Sequence, residues 1–211
     1  MDTEASCCIQ VGIVSDRTGP SDYDDDMIRA KALGIDAFAL NIGTDSFADQ
    51  QLGYAYESAA NNGMKVFISF DFNWYQPATA APLVGAKIKK FANETGQLIV
   101  DGKVFASSFA GDGLNVTGLR EAAAPYEVFW SPNIHPSVGN FSEVDAALNW
   151  MVSRFISQSL LQDAEDIQAW DSNGNNKAPT PGALVTVAEG DQAYEAALNG
   201  KPYIARQPPL P

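Results

Sequence analysis

Cysteine is nearly absent from this sequence: Cys7 and Cys8 are the only two, and they are adjacent. Neighbouring cysteines almost never close an unstrained disulfide, so no disulfide framework is expected. Histidine is scarcer still, with His135 alone. Zinc takes three or four ligands, which these residues cannot assemble, and no metal site is expected. The acidic stretch Asp22 to Asp26 lacks the alternating spacing and distal glutamate of a calcium loop and reads as a solvated helix start. Positive charge is also short, with 13 Lys and Arg against 26 Asp and Glu and a net charge of −13. Such a surface repels phosphate backbones, which argues against nucleic acid, whereas a neutral polysaccharide meets no such penalty. No apolar run approaches the ~18 residues of a membrane-spanning helix, so no membrane partner is expected. The residues after Met1 show neither the basic nor the apolar region of a signal peptide. No Gly-x-Gly-x-x-Gly turn and no Gly-x-Ser-x-Gly elbow occurs, which removes the usual support for dinucleotide binding and for a serine nucleophile. No cofactor is expected.

What is present is a folded chain's composition, with 45% hydrophobic and 18% charged residues over 211 positions, enough for one or two domains. Helix-like and strand-like segments alternate. A helix is predicted after the acids of 21–26, ending at Gly34, then a strand over 35–42 (IDAFALNI). A second helix runs to about Asn62-Gly63, followed by a strand over 65–72 (KVFISFDF). A third helix fits 82–93 and a fourth 114–123, with strands over 103–109 (KVFASSF) and 126–130 (YEVFW). Near the end, 189–198 reads as a helix and 201–205 as the start of another strand, which the prolines of 206–211 interrupt. Nearly continuous apolar strands separated by helices imply a parallel sheet covered on both faces. The expected fold class is therefore α/β. An open doubly wound sheet remains an alternative, but a (β/α)8 (TIM-type) barrel lacking its last strands is preferred, because polar residues gather just past the strand ends, where such a barrel carries its active site.

Those rim positions are the candidates for chemistry. Asp71 follows an apolar strand and precedes Asn73 and Trp74, placing a carboxylate, an amide and a flat ring side by side, as sugar recognition requires. Asn41, Asp112 and His135 also follow strands, and Trp150 could stack on a sugar. Each has a plainer reading: a loop cap for Asp71, a turn residue for Asp112 between two glycines, a loop hydrogen bond for His135, a core ring for Trp150. Glycoside hydrolysis usually takes two carboxyl groups, and Asp71 with Asp112 does not make a convincing pair. Three sequons, at Asn93, Asn115 and Asn140, exceed the roughly one that chance supplies at this length and point to secretion and glycosylation.

The segments 35–43 (IDAFALNIG), 66–74 (VFISFDFNW), 102–105 with 109–113 (GKVF, FAGDG), 173–182 (NGNNKAPTPG) and 200–205 (GKPYIA) resemble glycoside hydrolase family 71, the fungal α-1,3-glucanases or mutanases. The resemblance covers about 12–151 and 169–205. It implies a (β/α)8-type barrel, a secreted, monomeric enzyme, hydrolysis of cell-wall α-1,3-glucan, and a role in activity for Asp71. It also sets expectations about what this chain lacks. The family's acid and base belong to an Asp-Tyr-Gly-Glu type motif that finds no match here. Residues 1–11 depart from the family's apolar first strand, 152–168 read as an insertion, and 206–211 as an aberrant tail. The insertion is compatible with a retained intron and the tail with a shifted frame, so the sequence is expected to carry a splicing or gene-model defect. On that expectation the chain is an enzyme fragment, with a non-catalytic glycan-binding remnant or an unstable fragment as the alternatives.

Overall fold

A computed structural model describes residues 8–13, 15–149, 167–168 and 185–204. Trp150, nearly all of the 152–168 stretch, the 173–182 loop and the 206–211 tail lie outside the described residues.

The chain runs as β1 (Cys8–Gly12), a 3-10 turn (Pro20–Tyr23), α1 (Asp24–Ala32), β2 (Ala37–Ile42), α2 (Ala48–Asn62), β3 (Lys65–Asp71) and α3 (Pro77–Phe91). It continues with β4 (Ile99–Val100), β5 (Lys103–Phe109), α4 (Val116–Ala123), β6 (Val128–Asn133), β7 (Ala147–Leu148), β8 (Ile167–Gln168), β9 (Val185–Thr186), α5 (Val187–Leu198) and β10 (Tyr203–Ile204). Strands β1, β2, β3, β5 and β6 are neighbours in that order and all parallel, with β4 a short antiparallel addition to β5. The β7–β10 pair is also parallel, and the backbone N–H groups of Asp145 and Ala146 donate to Trp130 O at 2.9 and 3.4 Å, which brings this pair alongside β6. Strands β8 and β9 pair antiparallel. The mixed α/β architecture with a parallel sheet is the one the alternating sequence pattern implies.

Local sequence explains most boundaries. Three aspartates fill the first turn of α1 and Arg29 and Lys31 its last, each at the helix end whose partial charge it complements. Helix α2 stops at Gly63, whose φ of 66° is left-handed; the Gly63 and Met64 N–H groups then close on Ala60 O and Ala59 O. Asn115 caps α4, its side-chain oxygen accepting from Gly118 N at 2.9 Å.

Several boundaries shift from expectation, and two of the shifts involve proline. Helix α3 begins at Pro77 rather than 82, so Pro77 occupies the first turn, where a missing N–H costs nothing, and Pro82 lies inside the helix. Strand β6 runs on to Asn133 through Pro132, which the sequence assigns to a loop. Trp130 turns its N–H and C=O toward Asp145 and Ala146, away from β5. Two residues on, Pro132 faces the same way, so its missing N–H takes nothing from the β5 ladder.

The sheet has two distinct faces. Phe38, Leu40, Val66, Ile68, Phe70, Val104, Val128 and Trp130 pack beneath the helices, where Met27, Leu52, Val84, Ile88 and Leu119 meet them. Fully burying one such side chain stabilises by about 1.5–3 kcal/mol. The opposite face carries a separate cluster of Ala37, Ala39, Phe67, Phe105, Phe129, Ala146 and Leu148. At the helix layer, α3 and α4 meet so closely at Gly85 that a Cβ there would lie 2.3 Å from Leu119 O.

Candidate functional site

Parallel strands deliver their C-terminal ends to one side of the sheet, and the candidate residues collect there. Asn41 lies on the penultimate residue of β2, Asp71 on the last residue of β3, Asn73 and Trp74 just beyond it, Asp112 after β5 and His135 after β6. Asp71 is in register with Phe109, and Phe109 with Asn133.

Around Asp71 the chain makes a tight turn. Its Oδ1 accepts from Asn73 N at 2.9 Å, while its carbonyl accepts from the N–H groups of Trp74 and Tyr75. The carboxylate thus shapes its own loop, as the plainer reading has it, and remains half-buried. The turn throws Trp74 outward, 66% exposed. One edge of its ring lies close to Gly43, where a Cβ would sit 3.1 Å from Trp74 Cδ1. Tyr75 binds the two loops together, its hydroxyl donating to Gly43 O at 2.9 Å, and burial, followed by the charges of Asp49 and Asp45, pushes its pKa up to about 12.

Asp112 and His135 serve each other's loops. Asp112 Oδ1 accepts from the His135 backbone N–H at 3.0 Å. The His135 ring is fully buried, and its Nδ1 accepts from Ser137 N at 3.0 Å with Ser137 Oγ at 2.8 Å. Since a backbone N–H donates to Nδ1, the neutral ring carries its proton on Nε2. Asn133 reaches α5, donating from Nδ2 to the Tyr194 hydroxyl at 2.6 Å. Burial first, then the charge of Asp112, raises the Tyr194 pKa well above its ordinary value. A second contact with α5 runs from Tyr203, whose hydroxyl donates to Asp191 Oδ1 at 2.6 Å and accepts from Asn149 Nδ2 at 2.9 Å; burial and that aspartate raise its pKa too.

The three sequon asparagines are exposed and lie apart from Asp71 in the chain. Asn93 Nδ2 contacts the Tyr126 hydroxyl, and Asn115 caps α4. Asn140 folds over its own sequon, its Oδ1 accepting from Ser142 Oγ at 2.6 Å. Among the described residues, no group of three or more His, Cys, Asp and Glu could hold a metal, and no helix is long and apolar enough to cross a membrane.

Sequence reasoning overlooked Asn133 and Tyr194 as linked partners, and it overlooked a repeat. Val-Phe-x-Ser occurs at 66–69, 104–107 and 128–131. The register aligns Ser69 with Ser107 and Ser107 with Ser131, and Asn41 falls opposite Ser69. All three serines are fully buried. Comparing strands with one another, instead of reading each for its apolar run, exposes this level.

Comparison with known proteins fits this arrangement. The profile of glycosyl hydrolase family 71 matches residues 4–210. A mutanase of Penicillium rubens is 31% identical over 200 residues, covering 92% of this chain and 40% of that protein. A glucan endo-1,3-alpha-glucosidase of Schizosaccharomyces pombe is 39% identical over 94 residues, covering 44% of this chain and 22% of that protein. An ascus wall endo-1,3-alpha-glucanase of the same yeast is 24% identical over 176 residues, covering 74% and 40%. The chain therefore spans less than half the length of these relatives. With a parallel α/β sheet, polar strand ends and a profile match over nearly its whole length, the chain belongs to glycosyl hydrolase family 71.

Proposed function

We propose that this chain acts on α-1,3-glucan as part of a secreted (β/α)-barrel glycosidase, with Asp71 as its catalytic carboxylate. The observation that carries this reading is the turn at the end of β3, which holds a half-buried carboxylate three residues before a tryptophan that is two-thirds exposed. A pyranose presents hydroxyls at its edge and C–H groups on its face, and this pair answers both. Asn73 supplies an amide beside it, and Asn41, in register with Ser69, one a level below. Asp112 is bonded to the His135 backbone, so these two residues hold the neighbouring loops in shape, and Asp71 is the rim carboxylate placed to meet a sugar. Support for the barrel comes from five consecutive parallel strands with rim loops on one side, and from an inward cluster drawing on β2, β3, β5, β6 and β7. Asn93, Asn115 and Asn140 are exposed, as N-glycosylation during secretion requires. The names of the relatives, mutanase and endo-1,3-alpha-glucanase, indicate the linkage.

The test is co-sedimentation with insoluble α-1,3-glucan, with reducing-sugar release assayed in the same tubes and cellulose as the control. The wild type is expected to sediment with α-1,3-glucan and not with cellulose. Removing one aromatic face contact forfeits about 0.5–1.5 kcal/mol, so Trp74→Ala should weaken binding about two- to tenfold. Asp71→Asn should remove the reducing-sugar release of the wild type. Equal sedimentation with both polysaccharides, or full binding by Trp74→Ala, would refute the reading.

A further inference from the structure

Among the described residues, five buried side-chain atoms near the polar ends of the strands make no hydrogen bond: Asn41 Oδ1, Ser69 Oγ, Ser107 Oγ, Ser131 Oγ and Asn133 Oδ1. The first four belong to one level, because Asn41 pairs in register with Ser69, Ser69 with Ser107 and Ser107 with Ser131. Asn133 stands two residues beyond Ser131 on the same strand. Buried polar atoms in folded proteins are almost always paired, so an aligned set of orphans calls for a ligand. We propose that this level binds a row of ordered water molecules, retained as part of the protein's interior directly below Asp71.

The chemistry of the level selects water. Its members are three hydroxyls and an amide, with no charged side chain among them. A bound cation would need carboxylates or a dense oxygen cage, and a bound anion would need basic groups. The three serines are fully buried, which leaves no path for a sugar, whereas Asn41 is only half-buried and gives the level one hydrated end. Spacing agrees. Neighbouring parallel strands lie roughly 4.8 Å apart, too far for hydroxyls projecting side by side to meet at the roughly 2.7–2.8 Å of a direct O–H···O bond. A single water between each pair spans that gap and gains the two or more partners that buried waters keep. The Phe67, Phe105 and Phe129 rings, one level below, form an apolar layer that closes the row on that side.

A dry level and a wet one predict opposite responses to Ser→Ala substitution. If water bridges the hydroxyls, Ser69→Ala, Ser107→Ala and Ser131→Ala each strip a partner from a trapped molecule and lower Tm by about 2–4 °C. If the level is dry, each substitution removes an unsatisfied hydroxyl and raises Tm. Oxygen-17 magnetic relaxation dispersion of the whole chain reads the waters themselves. The wild type should show long-lived internal waters, and the alanine variants a smaller amplitude. A rise in Tm, an amplitude unchanged by the substitutions, or no long-lived water in the wild type would each overturn the proposal. The last reading needs no variant to fold.

Discussion

Adding one methyl group at Gly85 should loosen the α3–α4 pair, and the structure gives the size of the effect. A Cβ at Gly85 would sit 2.3 Å from Leu119 O, 2.6 Å from Ala122 Cβ and 3.0 Å from Ala123 N. Two of those atoms are backbone within or next to α4, so relief requires moving a helix rather than turning a side chain. Overpacking of this kind costs about 1–3 kcal/mol, and a rigid obstacle places Gly85→Ala at the upper end. Against this stands the gain of about 1 kcal/mol from replacing glycine by alanine inside a helix. The net loss is about 2 kcal/mol, a fall in Tm of about 4–8 °C for a chain of this size. Gly53 provides an internal control: it also lies within a helix, α2, but a Cβ there meets nothing within 4 Å. Gly53→Ala should therefore realise the propensity gain alone and raise Tm by about 2–4 °C. Thermal unfolding followed by circular dichroism on both variants decides the matter. Shifts of the same sign, or a Gly85→Ala protein as stable as wild type, would refute the close-approach argument.

Asp145→Ala should destabilise by about 2–4 kcal/mol, measured by urea unfolding, because its carboxylate accepts from Trp130 N at 3.0 Å, Arg120 at 2.7 Å and Lys103 at 3.2 Å. A loss under 1 kcal/mol would mean that this junction between β6 and the 145–148 segment is held by packing alone. Alkaline pH should weaken the fold through Tyr75. Its folded pKa, pushed up to about 12, exceeds the ordinary 10.0, so the stabilisation tied to its neutral phenol is complete below pH 10 and drains as pH rises toward 12. That amounts to about 2–3 kcal/mol over the interval, and Tyr75→Phe should flatten the pH dependence by the same amount; an unchanged slope would contradict the assignment.

Strand β3 was legible because Val66, Phe67, Ile68 and Phe70 make most of KVFISFD β-branched or aromatic, and its end showed where polar residues begin. The same cue located Asp71, Asn73 and Trp74. What stayed hidden depended on relations between segments. The start of α3 was masked by Pro82, which reads as a helix start although the helix already exists at that point. The end of β6 was masked by Pro132, whose tolerance depends on which way its backbone faces, a fact fixed by β5 and not by local sequence. His135 looked like a possible sugar contact, yet its burial and its bond to Ser137 arise from a turn three residues long. The polar level was hidden for a similar reason: a single serine in an apolar strand is unremarked, and only register shows three of them abreast.

The adjoining phenylalanine rings have a bearing on how a sugar chain approaches. Phe67 and Phe105 lie 4.7 Å apart between ring centroids, and Phe105 and Phe129 5.5 Å, so three neighbouring strands carry a continuous aromatic layer on the face opposite the helices. That layer offers a polar polymer no hydrogen-bond partner below the strand ends. Under the function proposed above, a glucan that meets Asp71 would lie across the strand ends and leave by the way it came. Such a site would meet its polysaccharide as a surface, which suits an insoluble wall material better than a dissolved strand.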